Sequence, residues 1–338
     1  MREAAPLPAA DLASALSAGW GLTPAAVGDL PQGYDYAASV YRLTTTEGAD
    51  YFLKVRTGTV NTASLAVPAY LHAHGLSEVL APLPTLTGAL WQPHTGRAYL
   101  LYPFIAGAAP LPAGQAPDHW RQFGALLRRL HSVNLPPDLA VLLQRETFAP
   151  IATARIPELD ALIAAQPFTA PVRRDLAAAW LTHRALILAV TARANDLSRR
   201  LQARPAPAVC LCHADPHWSN VLVDVASQLW LVDWDDLLLA VPERDLMFVI
   251  GGISADWPAL TDTANFMQGY GPAAVDPLAL AYYRADWAVQ DLAAFAEQVL
   301  LAPGQTEAGQ QDALRLFRGL FDPGSIVTLA LGSDPDHA

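Results

Sequence analysis

Apolar and polar residues alternate along the first third of the chain in short runs bounded by turn residues. Residues 36–46 and 51–56 carry the period of two that strands require, and Glu47-Gly48-Ala49-Asp50 between them has hairpin-turn chemistry. Residues 86–91 and 97–104 predict a second strand pair. Two helices interrupt this pattern: 10–18, closed by Gly19, and 61–74, which tolerates Pro68 and stops at Gly75. After Ile105-Ala106-Gly107-Ala108-Ala109-Pro110, a small-residue linker, the dominant period becomes 3.6. Helices are predicted over 118–133, 157–165, 171–202, 243–250, 257–269, 277–301 and 307–321, with loop and short strands over 210–232. The pattern predicts an α+β chain in two lobes: a small β-rich lobe over 1–105 and a large, mainly helical lobe over 106–338.

Composition narrows the class. Hydrophobic residues make up 52% of the 338, enough for a real core and too many for a disordered chain. Acids outnumber bases 32 to 21, a net charge of −11. Residues 1–105 hold 7 acids and 5 bases, so −9 of that charge falls on the helical lobe. Phosphate-backbone contacts need a basic surface, so no nucleic-acid partner is expected. The greasiest stretch, 176–194, is broken by Thr182, His183 and Arg184 and predicts a core helix, with no membrane role. Met1-Arg2-Glu3 leads to Asp11 without an apolar signal segment, and Cys210 and Cys212 lie too close for an ordinary disulfide loop. A soluble cytoplasmic protein is expected, as monomer or homodimer. One count points to chemistry: 20 of the 21 bases are arginine, and Lys54 is the sole lysine. A compact ammonium does what a planar guanidinium cannot.

The chemistry concentrates in Cys210-Leu211-Cys212-His213-Ala214-Asp215-Pro216-His217-Trp218-Ser219-Asn220 and the segment after it. Two apolar runs, Val221-Leu222-Val223 and Leu229-Trp230-Leu231-Val232, flank a turn at Ala226-Ser227 and predict a hairpin. The hairpin folds Asn220 and Asp233 together as an oxygen-ligand pair suited to Mg²⁺. Asp215, five residues before Asn220, can meet a substrate hydroxyl beside that pair. An acceptor-orienting carboxylate, two metal ligands and a lysine for the triphosphate are what phosphoryl transfer requires.

His213-x-Asp215-x-x-x-x-Asn220 has the spacing of the protein-kinase catalytic loop. With Pro216, Trp218 and Val232-Asp233-Trp234, it resembles the aminoglycoside phosphotransferase and choline kinase-like superfamily. Tyr51-Phe52-Leu53-Lys54-Val55 resembles the strand that presents the nucleotide lysine there. The resemblance implies a bilobal protein-kinase-like fold and an ATP- or GTP-dependent O-phosphotransferase. Asp215 is then the catalytic aspartate, Asn220 and Asp233 the Mg²⁺ ligands and Lys54 the phosphate contact. Leu100-Leu101-Tyr102-Pro103-Phe104-Ile105 falls at the inter-lobe hinge that offers backbone groups to adenine, which brings in Tyr102 and Phe104. Pro242-Glu243-Arg244-Asp245-Leu246 resembles the segment after the metal aspartate, where the aspartate is structural. Gly33-Tyr34-Asp35-Tyr36 and Ala285-Asp286-Trp287-Ala288-Val289-Gln290-Asp291 resemble the spectinomycin phosphotransferase branch.

The chain departs from the kinase pattern twice. Residues 61–75 contain no acid to pair with Lys54, the nearest being Glu78. Gly33 is the only glycine between Asp29 and Glu47, so a hydroxyl such as that of Ser39 is expected to help cradle phosphate. Asp235, Asp286, Trp287 and Asp291 are candidates for the acceptor site, and Asp256, Asp262 and Glu297 are further acids that could line it. An acidic cleft would draw a cationic small-molecule acceptor. The resemblance implies an aminoglycoside or aminocyclitol, and resistance as the outcome. Choline, homoserine, a methylthiosugar or a ketosamine are alternatives, as is a nucleotide-binding protein without transfer activity. A zinc site built from Cys210, Cys212, His213, Asp215 and His217 is disfavoured because no second cysteine pair closes a tetrahedron.

Overall fold

In the computed structural model, which describes residues 8–30, 38–114, 116–165, 167–254, 257–302 and 306–332, the alternating stretch becomes one antiparallel sheet. Helix α1 (Ala9–Trp20) precedes β1 (Pro24–Asp29), β2 (Ala38–Thr45), β3 (Asp50–Arg56), α2 (Ala63–Ala73), β4 (Gln92–His94) and β5 (Arg97–Pro103). The strand order is β1-β2-β3-β5-β4. Register decides what each face does. Val40, Lys54 and Leu100 lie abreast, as do Arg42, Phe52 and Tyr102, so these share one face. Tyr41, Leu43, Leu53, Val55, Tyr99 and Leu101 take the other face and bury themselves against Leu12, Ala15 and Leu16 of α1.

Three elements of this lobe differ from expectation. Helix α1 runs past Gly19, where a Cβ would sit 3.1 Å from the Gln92 side chain, and ends at Gly21 in the left-handed region (φ 67°). Residues 86–91 form no strand: Thr85 N–H donates to Ala89 O at 2.7 Å around Gly88, and pairing begins only at Gln92. Strand β1 was not anticipated, because its small residues are largely exposed and show no alternation.

The linker is stitched down. β6 (Ala109–Pro110) pairs with β8 (Val221–Val223), which forms a hairpin with β9 (Leu229–Leu231). Between them in sequence come α3 (Pro117–His131), α4 (Pro137–Ala140), α5 (Arg155–Ala165), α6 (Pro171–Gln202) and β7 (Cys210–Cys212). Then follow β10 (Leu238–Ala240), which pairs with β7, and α7 (Glu243–Leu246), α8 (Leu260–Tyr270), α9 (Pro277–Leu300), α10 (Glu307–Gly319) and α11 (Ile326–Gly332). Helix α9 is the axis of this lobe and packs on α5, α6, α7, α10 and α11. Trp120, Phe123, Trp180, Phe248, Phe266 and Phe317 are fully buried in its core, each worth roughly 1.5–3 kcal/mol of burial.

Gly269 does not stop α8 as its position suggests. A Cβ there would lie 1.9 Å from Arg121 O, and one on Gly124 would lie 2.0 Å from Phe266 O. The two glycines let α3 and α8 cross with their backbones in contact. The expected helix at 243–250 is confined to α7. Trp257 precedes α8 as a buried residue whose indole N–H donates to Leu111 O at 3.2 Å. The lobes are also joined behind the cleft: Leu80 N–H donates to Leu231 O (3.1 Å), and Leu231 N–H donates to Glu78 O (2.8 Å).

Candidate active site

β7 delivers the candidate catalytic loop, and its first task is to hold itself. Asp245, 0% exposed, accepts His213 N–H (2.9 Å), Ala214 N–H (2.7 Å) and His131 Nε2 (3.0 Å). Burial opposes its charge, but His131 and these donors outweigh it and hold the carboxyl below its usual range. His213 Nδ1 accepts Asp215 N–H (3.2 Å), so Nε2 carries the proton and donates to Val232 O (3.0 Å). His213 thus braces the loop, and Asp245 is structural as the resemblance implies.

Ala214 (φ 74°) and Asp233 (φ 62°) both adopt the left-handed conformation that non-glycine residues rarely take. The turns aim the flanking acids inward. Asn220 Nδ2 donates to Asp215 O (2.8 Å) and to Asp215 Oδ2 (3.0 Å), so these bonds leave its amide oxygen unused. Val232 N–H donates to Asn220 O (3.0 Å), closing the hairpin that brings Asn220 and Asp233 together. Asp215 Oδ1 is buried and has no hydrogen-bond partner among the described residues. A buried acceptor of this kind costs free energy unless a ligand supplies the proton.

Lys54 is 9% exposed and reaches across from the sheet. Its Nζ lies 2.7 Å from Asp235 Oδ2 and 3.4 Å from Asp233 Oδ1, and Arg56 Nη1 lies 3.4 Å from the same Asp235 oxygen. Burial works against the ammonium, but Asp233 and Asp235 overcome it and raise the Lys54 pKa. Burial raises the Asp233 carboxyl, with Asp235 and Asp215 adding to it against the pull of Lys54. Asp235, which sequence reasoning had put with the acceptor, thus stands on the lysine.

The other candidates divide. Tyr102 lies on the Lys54 face, its phenol pushed far above its usual range by burial, and Phe104 carries the Arg42 guanidinium 4.7 Å over its ring. Ser39 is a correction: paired with Val55, it falls on the α1 face, opposite to Lys54, so its hydroxyl is turned from the cleft. Gly33-Tyr34-Asp35-Tyr36 lies outside the described residues, as does Asp256. Asp286 is a second correction. It is 3% exposed, and its two oxygens accept Ile151 N–H (3.1 Å) and Gln290 Nε2 (2.8 Å), which builds it into helix packing. Burial pushes its carboxyl up to about 6. Asp262 accepts Ala259 and Gly114 N–H at the start of α8, and Glu297 pairs with Arg155 at 2.5 Å.

Asp291 and Trp287 do face the loop. Burial, then the Asp215 charge, push Asp291 up to about 7 against the opposing pull of His217 and Trp287. Trp287 packs edge-on against Phe248 at 5.0 Å. Sequence reasoning gave His217 only a discounted zinc role, although His-x-Asp-x-His placed it one residue beyond the proline. Its Nδ1 accepts Ser219 N–H at 3.2 Å, and its Nε2 lies 3.4 Å from Asp215 Oδ2. Burial opposes its charge, yet Asp215, Asp291 and Asp233 together raise its pKa. Beside the loop, a cleft of about 410 Å³ is lined by Trp218, Trp257 and residues 110–113. The cysteines do not join this site: Cys210 and Cys212 Sγ lie 3.8 Å apart near His131, whose two ring nitrogens face Tyr270 Oη and Asp245.

The sequence matches the phosphotransferase enzyme family (APH) over residues 30–297. No curated protein sequence matches it significantly. Among solved structures, it is similar to the spectinomycin phosphotransferase APH(9)-Ia in complex with ADP and spectinomycin, with 27% identity, a TM-score of 0.88, and coverage of 98% of this chain and 99% of that one. The AMP-bound complex of the same enzyme gives 25% identity, a TM-score of 0.83, and coverage of 97% and 100%. The amicoumacin kinase hAmiN, in complex with AMP-PNP, Ca²⁺ and Ami, shares the fold at 17% identity, a TM-score of 0.61, and coverage of 96% and 95%. The fold is therefore the bilobal, α+β, protein-kinase-like one. No helix among the described residues is long and apolar enough to cross a membrane. The catalytic loop, the lysine strand and the family match converge on one conclusion: the chain belongs to the phosphotransferase enzyme family and is a small-molecule kinase with a hydroxyl acceptor.

Proposed function

We propose that the protein is an ATP-dependent O-phosphotransferase acting on a cationic aminocyclitol or aminoglycoside in the cytoplasm, with antibiotic resistance as the outcome. The observation that carries this reading is the buried, unpartnered Oδ1 of Asp215. An acceptor hydroxyl donating to that oxygen is both satisfied and aimed, and the same carboxylate takes its proton as the phosphoryl group arrives. Residues 1–105 hold the nucleotide on this reading, and residues 106–338 hold the acceptor. Lys54 contacts the α/β-phosphates, and the segment from Tyr102 to Phe104 lies against the base.

The amide oxygen of Asn220 and the carboxylate of Asp233 form a hard-oxygen donor pair beside Asp215, which fits Mg²⁺. Bound there, the metal supplies charge neutralisation at the β/γ-phosphates. Complexes of the similar spectinomycin phosphotransferase with ADP and with AMP support an adenine nucleotide. The spectinomycin complex of a structure covering 98% of this chain supports an aminocyclitol acceptor. Asp291, beside His217 and Asp215, is a carboxyl that the ammonium of an acceptor would draw into its charged form.

The test is ADP release by the wild-type protein and by Asp215→Asn against spectinomycin, aminoglycosides, choline, homoserine and simple sugars. Release that depends on an aminocyclitol or aminoglycoside, falls about 10²–10⁴-fold in the variant and leaves ATP affinity within about twofold supports the proposal. Release driven by choline, homoserine or a sugar would replace the acceptor class. Full turnover by Asp215→Asn would overturn the catalytic assignment.

A further inference from the structure

We infer that Asp235 positions Lys54 for the nucleotide, a task that protein kinases give to a carboxylate on the helix after the lysine strand. The inference rests on the ATP-dependent reading above. Helix α2 follows the lysine strand and contains no acid. Where its first turn meets the site stands Ser64, 4% exposed, whose hydroxyl donates to Asn61 O at 2.9 Å beside the Asp235 carboxylate. The next acid in sequence is committed elsewhere: Glu78 Oε1 accepts Arg129 Nη1 at 2.8 Å.

A buried ammonium needs a partner, since leaving one unpaired costs several kcal/mol. Among the described residues two carboxylates approach Lys54, and they are not equivalent. The nearer, Asp235 at 2.7 Å, lies two residues beyond the metal-ligand position, whereas Asp233 at 3.4 Å occupies it. An ammonium has three donors, so Asp235 can hold one while another reaches phosphate. Asp233 is then free to serve the metal without Lys54 losing its anchor. The segment is rigid enough for this: Trp234, between the two acids, is 4% exposed, and its indole N–H donates to Leu231 O at 3.2 Å. Arg56 Nη1, 3.4 Å from the same Asp235 oxygen, fixes the carboxylate from the sheet side. The nearest counterion of the lysine among the described residues therefore travels with the metal-binding segment of the large lobe rather than with the helix of the small one.

Three variants of the full chain test this: Asp235→Asn, Asp235→Glu, and Asp235→Asn combined with Ser64→Asp, which returns the charge to the helix. Each is assayed for kcat, for KM of ATP and of acceptor, for equilibrium ATP binding and for Tm. Asp235→Asn is expected to lower kcat/KM for ATP about 10- to 100-fold, with acceptor KM within about twofold and Tm close to wild type. Asp235→Glu should recover much of the loss, and the relocated charge at position 64 about tenfold of it. Wild-type kcat/KM for ATP in Asp235→Asn would overturn the inference. So would a loss shared equally by ATP and acceptor that Asp235→Glu does not relieve. Should the double variant fail to fold, as its Tm would reveal, the Asn and Glu pair decides alone. Wild-type protein that bound no ATP would instead remove the function on which the inference stands.

Discussion

The catalytic loop and helix α9 both present buried acids, and they stabilise them in opposite ways. Around the loop, Asp245 of α7 is saturated by two backbone N–H groups and an imidazole, while Asp215 on the loop itself carries an oxygen with no partner among the described residues. On α9 the two functions are split by helical rotation. Asp286 and Asp291 are five residues apart, about 500° of turn, so they leave the helix on different faces. Asp286 spends both oxygens on Ile151 and Gln290, while Asp291 looks toward Asp215 and His217. An acid's residue type and burial thus say little about its role. What its oxygens are bonded to says more.

Four substitutions can break or sharpen this contrast. The largest effect is expected from Asp245→Ala, which strands three buried donors and should cost about 3–5 kcal/mol. In differential scanning this is a fall in Tm on the order of 10 °C, and an unchanged Tm would deny Asp245 its bracing role. Asp291→Asn should lower kcat/KM for a cationic acceptor roughly tenfold while sparing an uncharged one, consistent with about 1.5–3 kcal/mol for a charged hydrogen bond. Equal effects on both acceptors would move the amine subsite elsewhere.

Asp286→Asn tests the other side of the helix through pH. The folded carboxyl keeps its proton up to about pH 6, whereas an unfolded aspartate releases it near pH 4. Between these values the unfolded state binds fewer protons, so stability falls as pH rises through the window. Removing the titration should abolish that slope and raise stability at pH 7–8 by on the order of 1–3 kcal/mol, with kcat and KM unchanged. Denaturant melts at pH 4.5 and 7.5 measure it, and an unchanged slope would sink the assignment. The smallest effect belongs to Ser39→Ala, for which KM of ATP should stay within about twofold. A tenfold rise would put the hydroxyl back in the cleft.

What was legible in the sequence was what short-range geometry decides. Asp215, Asn220 and Asp233 lie within 19 residues on one loop and hairpin, so their spacing alone brings them together. Lys54 announced itself by being the only lysine. The two-lobe order followed from the change of period near residue 105, and the long helix α6 began and ended where its pattern did. The errors came from contacts between distant segments. Lys54 and Asp235 are 181 positions apart, and no local signal says which of two neighbouring acids will turn to the lysine. A strand's face is set by its partner's register, so Ser39 could not be assigned to the cleft or to α1 before its pairing with Val55 was known. Gly19 and Gly269 have the sequence look of helix stops, yet each is small for the sake of a neighbour far along the chain.

The solitary lysine has a practical consequence. Apart from a chain terminus, the protein contains a single primary amine, and that amine stands between Asp233 and Asp235. Growth on ¹⁵N-labelled lysine would therefore place one labelled side-chain ammonium in the whole molecule, beside Asp233 and Asp235. The same scarcity gives an amine-directed reagent one side chain to find, and the burial and ion pairs of that ammonium make it slow to react.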